Sequence, residues 1–386
     1  MKLLFATLLI HRDVDTFVFN WFCSRVNLNN GFSIPHLIVN DGTWTPEDLD
    51  KLRRLTNVLI EETPIELYKT VPKAKYLAKI KLFELGFMKY HADRVVILDP
   101  DVFFYRPWDS DLVNILLSDN IAIMDFGSSL GPNQERYEQL YGIKRNAKNP
   151  TCNTGLVSTT KASYDKILLA LVKHLNDPFM IMEDQGICFA AFYDNLNFIQ
   201  HIKLALNGAV TCGPIWNWIL EENGAHLVGM RVRQDEYNKL VDHALSLLPK
   251  TLHPSKFQTT EYNVPGGMGN YDMYNFDQPY ACYPSQSRGI YVTDAIYVSG
   301  ESIIKWKFPP QITRFEASVM PLDSGILGNM LPVEINGQEF PVGWFACVNI
   351  KNQELVIRTK PGDRAFFALT SPKLHYSVDR PSTIFE

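Results

Sequence analysis

Short apolar runs recur along the first third of the chain, at residues 3–10, 36–39, 58–60, 95–98 and 121–124. They are brief, rich in β-branched residues and nearly uninterrupted, a pattern that predicts strands buried on both faces. Between them the period lengthens. Residues 45–55 open on Thr-Pro-Glu-Asp, which supplies an N-cap, a proline at the first helical position and an acidic first turn. Residues 73–89 place Leu77, Ile80, Phe83 or Glu84, and Phe87 on one helical face. Helical patterns also cover 163–192 and 234–248. Strands alternating with helices predict an α/β fold on a mostly parallel sheet, with ligands gathered beyond the carboxyl ends of its strands.

The texture changes near Gly289. Segments 312–319, 331–335, 345–350, 355–359 and 365–369 alternate in polarity and are separated by Asn-Gly and Pro-Gly turns, which predicts a small antiparallel β domain. The expected organisation is a catalytic domain over 1–260, a loop-rich linker or site cover over 261–288, and a β-rich accessory domain over 289–386. A chain of 386 residues exceeds what one ordinary core supports, so an added unit is expected on length alone.

Composition narrows the class further. A hydrophobic share of 46% with 20% charged residues is globular and argues against extensive disorder. The formal charge of -5 offers no general attraction to phosphate polymers, so nucleic acid is not the favoured partner. Cys23, Cys152, Cys188, Cys212, Cys282 and Cys347 are scattered and form no CxxC pair, which points to reduced thiols and a cytoplasmic protein. The N-terminal apolar run leads into His11-Arg12-Asp13 where a leader peptide would need small residues, so it reads as a first strand. No apolar stretch reaches the roughly 20 residues of a membrane-spanning helix.

The most informative chemistry follows the fourth run, where Arg94 to Leu98 ends on Asp99-Pro100-Asp101. Two carboxylates at a strand end can face one cavity. Hard cations such as Mn²⁺ or Mg²⁺ take one or two carboxylates and fill their other positions with phosphate oxygens and water, which suits a nucleoside diphosphate. The same triplet is also an ordinary turn sequence. Nucleotide contacts are expected at residues 9–13 and at Asn40-Asp41-Gly42, Asp41 being the candidate there. Lys75 and Lys79 lie four apart, on one face of the helix preceding the acidic strand, within reach of phosphates.

With Asn153-Thr154-Gly155, Asp184-Gln185 and His253 following Asp99-Pro100-Asp101 in order, residues 1–260 resemble the GT-A-type nucleotide-sugar glycosyltransferases, especially the glycogenin and bacterial lipopolysaccharide-transferase family. The resemblance implies a GT-A, Rossmann-like catalytic domain, a nucleotide-sugar donor, most simply a UDP-sugar, and a hydroxyl-bearing acceptor such as a carbohydrate. It implies metal ligation by Asp99, Asp101 and His253, and donor-sugar contact by Asn153. Asp184 would face the reacting sugar, with Gln185 beside it. Retention of anomeric configuration is implied by the same relatives, and Lys79 matches the family's cation. Lys256 is the candidate diphosphate contact, although His253-Pro-Ser-Lys256 is shorter than the family's segment here.

Other readings stay open at this level. Trp216, Trp218 and the aromatics of 262–283 suit either sugar stacking or core packing, which allows a non-catalytic carbohydrate-binding protein. Arg136, Lys144, Arg145 and Lys148 form either an acceptor-facing patch or an exposed face, and the patch would suit a phage-type transferase acting on a modified DNA base. Oligomeric state is not readable.

Overall fold

The structure is a computed structural model; it describes residues 2–28, 31–62, 78–104, 121–125, 152–174, 199–202, 224–226, 234–263, 285–287, 290–292, 295–299, 302–321, 332–359 and 366–381. The chain divides into two compact units. The first comprises Met1–Arg53, Asn57–Leu248 and Arg380–Glu386, and the second Arg54–Thr56 and Pro249–Asp379.

In the first unit the expected strands form, with their ends moved by one or two residues: β1 (Leu3–Leu9), β2 (His36–Asn40), β3 (Val58–Glu61), β4 (Arg94–Leu98) and β6 (Ile121–Asp125), with β5 (Val102–Phe104) after the fourth. β7 (Cys152–Thr160), β8 (Ile199–Ile202) and β9 (Gly224–His226) follow. Seven of them make one sheet in the order β3-β2-β1-β4-β7-β6-β8, while β5 pairs with β9 apart from it. The sheet is mostly parallel, as the sequence predicts, and β7 alone runs against both its neighbours.

The period of two sorts the central strands between two cores. Leu4, Ala6, Val95 and Ile97 pack on one face with Ile80, Phe83, Phe87, Tyr164 and Ile167, which come from α3 (Ala78–Glu84), the turn after it, and α4 (Lys161–His174). Phe5, Val96 and Leu98 pack on the other face with Leu28, Val102 and Phe104. That second face is covered by α1 (Val14–Asn27), whose eleven buried residues out of fourteen explain why no amphipathic period is visible there: a helix buried nearly all round has no broad solvent-facing polar side. The remaining helices of this unit are α2 (Pro46–Arg53) and α5 (Gln234–Leu247).

Two local expectations are refined. The helix expected over 73–89 continues past Glu84 as one π-turn, Leu85–Lys89, closed by Tyr90 N–H on the Leu85 carbonyl at 3.1 Å. Of the two alternatives on its apolar face, Phe83 is buried, whereas Glu84 turns outward to pair with Lys81. At the π-turn, Gly86 lies against the sheet so closely that an added Cβ would stand 2.5 Å from Val95 Cγ2 and 3.3 Å from Leu4 Cδ2.

The second unit is antiparallel, as the turn spacing predicts. Its strands are β10 (Thr259–Asn263), β11 (Ser285–Ser287), β12 (Ile290–Val292), β13 (Ala295–Ser299), β14 (Ile303–Lys307), β15 (Ile312–Pro321), β16 (Val333–Ile335), β17 (Gln338–Phe340), β18 (Phe345–Asn349), β19 (Glu354–Arg358) and β20 (Phe366–Tyr376). They form sheets ordered β10-β14-β19-β16-β17 and β13-β20-β15-β18, with β11-β12 as a separate ribbon. The β16–β17 hairpin turns on Asn336 and Gly337 at φ 48° and 78°, the left-handed pair that makes Asn-Gly a hairpin signal. Trp306, Phe308, Phe315, Ile357 and Leu369 fill this unit's interior. No helix among the described residues is long and apolar enough to cross a membrane.

The Gly86 contact gives a test of the packing between the π-turn and the sheet. Alanine would gain up to about 1 kcal/mol of helix propensity, but overpacking a filled core costs typically about 1–3 kcal/mol, and a 2.5 Å approach to fully buried Val95 makes the second term the larger. Gly86→Ala is expected to lower the urea midpoint with an unchanged slope; a midpoint at or above wild type would show that Val95 gives way freely.

Candidate active site

Asp99 and Asp101 stand at the carboxyl end of β4, in the middle of the sheet, where the α/β pattern places a ligand site. The backbone on either side of Asp99 is held from three directions. Asp99 N–H donates to the Gly155 carbonyl on β7 at 2.8 Å, and its carbonyl accepts from Val102 N–H at 3.1 Å. The Leu98 carbonyl accepts from the Thr7 hydroxyl on β1 at 2.8 Å. The Pro100 carbonyl accepts from Asn20 Nδ2 on α1, also at 2.8 Å. Proline has no N–H, so each backbone polar group from the Leu98 carbonyl to the Pro100 carbonyl has a partner.

The Thr7 contact ends a directed chain. Thr7 gives its proton to Leu98, so its oxygen accepts from His36 Nε2 at 2.8 Å, which leaves His36 Nδ1 to accept from Arg25 Nη2 at 3.2 Å. This tautomer follows from the network. Burial, and then the Arg25 charge, push the His36 imidazole well below its ordinary value, so it stays neutral. Arg25 is itself pushed down to about 9 by burial. Its guanidinium donates to the carbonyls of Gly31 and Ile34 and lies over the rings of Phe5 and Trp21, 4.8 and 5.9 Å from their centroids.

In front of this support, Lys79 Nζ lies 2.7 Å from Asp99 Oδ1, both side chains largely shielded from water. Of the two candidate lysines on this helix, Lys79 therefore reaches the acidic turn, while Lys75 lies outside the described residues. β7 brings the Asn153-Thr154-Gly155 segment alongside. Leu98 pairs with Leu156, and between Asn153 and Val157 the strand leaves register with β6, a bulge of the kind that re-aims side chains near sites. The Asn153 backbone is described and its side chain is not.

The expected nucleotide rim, beyond the ends of β1 and β2, is stapled together. Asp41 Oδ1 accepts from Thr43 N–H and hydroxyl at 2.9 and 2.5 Å, Thr43 Oγ1 accepts from His11 N–H at 2.8 Å, and Trp44 Nε1 donates to the Leu9 carbonyl at 2.8 Å. Asp41 thus shapes the loop with one oxygen of a half-buried residue's carboxylate. Thr45, the N-cap foreseen for α2, forms a capping box with Asp48: Asp48 Oδ2 accepts from Thr45 N–H at 2.7 Å, and Thr45 Oγ1 from Asp48 N–H at 3.2 Å. His11 Nδ1 meets the same Asp48 oxygen at 2.6 Å, tying the end of β1 to the helix.

His253 and Lys256 belong to the second unit. His253 caps the short turn Pro254–Lys256, its Nδ1 accepting from Ser255 N–H at 3.1 Å and contacting Ser255 Oγ at 2.6 Å. In that tautomer the ring proton is on Nε2, so cation binding there requires the ring to give up either the proton or the cap. Burial holds the Lys256 ammonium below its ordinary value. Glu183, Asp184 and Gln185, the tryptophans Trp216 and Trp218, the basic residues Arg136, Lys144, Arg145 and Lys148, and most of 262–283 lie outside the described residues.

The donor set of the acidic turn fits a hard divalent cation: carboxylate oxygens on a rigid turn, with an ammonium on Asp99 offsetting the negative charge. Among the described residues no three His, Cys, Asp or Glu side chains converge as a complete cage. Sequence reasoning did not identify Arg25, His36, Thr7 and Asn20 as supports. A signal for one of them existed, since Asn20, Ser24 and Asn27 are polar at i, i+4 and i+7 within an apolar run.

No family model and no curated protein matches the chain. Among solved structures it is similar to the galactosyltransferase LgtC in complex with donor and acceptor sugar analogues, at 14% identity and a TM-score of 0.46, covering 64% of this chain and 95% of that one. It is also similar to core-mannan synthase A from Aspergillus fumigatus in its Mn/GDP form, at 10% identity and a TM-score of 0.36, covering 52% and 73%. A third is a glycosyltransferase involved in glycosylation of the major capsid of PBCV-1, at 11% identity and a TM-score of 0.38, covering 62% and 100%.

The capping box makes a pH prediction. Burial alone would raise the Asp48 carboxyl, but hydrogen bonds from the Thr45 N–H, His11 and the Thr45 hydroxyl outweigh it and hold the group below its ordinary 3.8. The unfolded chain therefore takes up this proton first. The stabilisation is full above that value and is lost as pH falls through the lower folded value. Asp48→Asn should cost about 1 kcal/mol at neutral pH and flatten the acid limb of a stability-versus-pH curve; a parallel acid limb would show that Asp48 carries no linkage.

Proposed function

We propose that this protein is a metal-dependent glycosyltransferase that moves a sugar from a nucleotide-diphosphate donor to an acceptor hydroxyl. The observation that carries the reading is the rigid Asp99-Pro100-Asp101 turn at the end of the central strand, with Lys79 on Asp99 and the Asn153-Thr154-Gly155 segment bonded beside it. The motif order that the chain shares with the glycogenin and lipopolysaccharide-transferase family supports the same conclusion.

Asp99 and Asp101 would hold Mn²⁺ or Mg²⁺, and the family resemblance implies His253 as a third ligand. A cation held there supplies charge neutralisation for a departing diphosphate. Lys79 would exchange its carboxylate partner for a phosphate oxygen when the donor arrives, stabilising the leaving group without a new charge being brought in. Lys256, depressed by burial, would gain its full charge beside a diphosphate. The rim at His11, Asp41 and Thr43 would receive the base and ribose of a nucleotide, UDP being the simplest candidate. Asn153 would contact the donor sugar and Asp184 would stabilise the oxocarbenium-like centre beside Gln185, with retention of configuration, as the family resemblance implies. A cytoplasmic site of action agrees with the unpaired thiols of Cys23 and Cys347.

The test is isothermal titration of wild type and Asp101→Ala with UDP-, GDP-, ADP- and CDP-linked sugars, with and without Mn²⁺. One donor is expected to bind only with metal, and its affinity to fall about 100-fold or more in the variant. Donor binding indifferent to both Mn²⁺ and Asp101, or no donor binding at all, would overturn the reading.

A further inference from the structure

We infer that Asn20, on the buried helix α1, is a positioning residue for the cation and donor site; the inference rests on the transferase reading and names a part of it that lies behind the site. Three polar side chains on one stripe of α1 hold the strand that leaves the acidic turn. Asn20 Nδ2 donates to the Pro100 carbonyl at 2.8 Å, Ser24 Oγ accepts from Phe104 N–H at 3.1 Å, and Asn27 Nδ2 donates to the Phe104 carbonyl at 3.0 Å. Their spacing of four and three residues is the repeat that puts side chains on one helical face.

Within this ladder Asn20 differs in where it acts. Ser24 and Asn27 hold Phe104, three residues beyond Asp101. Asn20 holds the carbonyl between the two carboxylates, in the peptide unit that joins Pro100 to Asp101. The orientation of that plane sets the direction in which the Asp101 side chain leaves the backbone. Asn20 is 3% exposed and, with Phe5, Phe17, Trp21 and Leu98, lines a small cavity behind the turn. A flipped amide would set oxygen against oxygen at Pro100, which fixes the nitrogen as the donor. A second support, the Arg25–His36–Thr7 chain, holds the Leu98 carbonyl on the other side of Asp99. Asn20 is thus a side-chain contact, among the described residues, to the backbone on the Asp101 side of the turn, and its loss would loosen Asp101 before Asp99.

The experiment is a Mn²⁺ titration of the full chain in the presence of UDP, followed by electron paramagnetic resonance, on wild type, Asn20→Ser, Asn20→Leu, Asn27→Ala and Asp101→Ala, with a thermal melt of each. Serine is too short to reach Pro100, and leucine keeps the volume without a donor, so a folding failure of one leaves the other to decide. Mn²⁺ affinity is expected to fall about tenfold in the Asn20 variants, as for lost outer-shell partners of metal ligands, and to stay at the wild-type value in Asn27→Ala at a comparable loss of thermal midpoint. Equal weakening in Asn20 and Asn27 variants would assign Asn20 a structural role only and overturn the inference. Wild-type affinity in the Asn20 variants, with affinity lost in Asp101→Ala, would overturn it and leave the transferase reading standing. Mn²⁺ binding untouched in Asp101→Ala would remove both.

Discussion

The structure around the acidic turn depends on one constraint: a strand that ends inside a protein cannot leave its last carbonyls without donors. Leu98 ends β4 within an apolar cluster and Asp99 and Pro100 follow it half-buried, where an unpaired carbonyl shielded from water costs roughly 1–3 kcal/mol. Val102, three residues on, supplies one donor, and Thr7, Asn20 and the acceptor Gly155 come from three elements distant in sequence. The result is a turn whose backbone has few alternatives. Preorganised carboxylates can then meet a ligand with little reordering.

Supplying those donors has its own cost. His36 must stay neutral to pass a hydrogen bond from Arg25 to Thr7, and Arg25 must sit with no carboxylate among its described contacts. Carbonyls and aromatic faces replace the counter-ion, an arrangement open to a guanidinium because its five donors and flat face can be used at once. A lysine there would have neither the fork nor the stacking surface. The charge is thus retained for geometry, three hydrogen bonds from the Leu98 carbonyl it helps to hold.

How much of this was legible depends on the range of the interaction. The strand ending on Asp99-Pro100-Asp101, the Thr45–Asp48 capping box and the Asn336-Gly337 hairpin could be read from a few neighbouring residues, because a turn, a cap or a strand end is a local event. The pairing of Lys79 with Asp99 was half legible: the helical face could be read, but which lysine arrives depends on how the helix lies on the sheet. Helix α1 could not be read as a helix, since its burial on nearly every side removes the broad solvent-facing polar side that periodicity needs. The π-turn at Gly86 and the bulge at Asn153 are likewise responses to a packed neighbour and leave no pattern in their own sequence.

By itself, then, the sequence determined five strands of the first unit and the helices other than α1, a mostly parallel arrangement, the change to antiparallel texture in the C-terminal part and the position of the acidic pair at a strand end. These follow from side-chain period and turn chemistry, which act over two to ten residues. Only the tertiary structure decided that Lys79 meets Asp99, that Gly155 bonds to Asp99, and that Asn20 and a chain from Arg25 support the turn. Those contacts join residues some 20 to 90 positions apart, and chain folding alone sets which distant donor reaches a buried carbonyl.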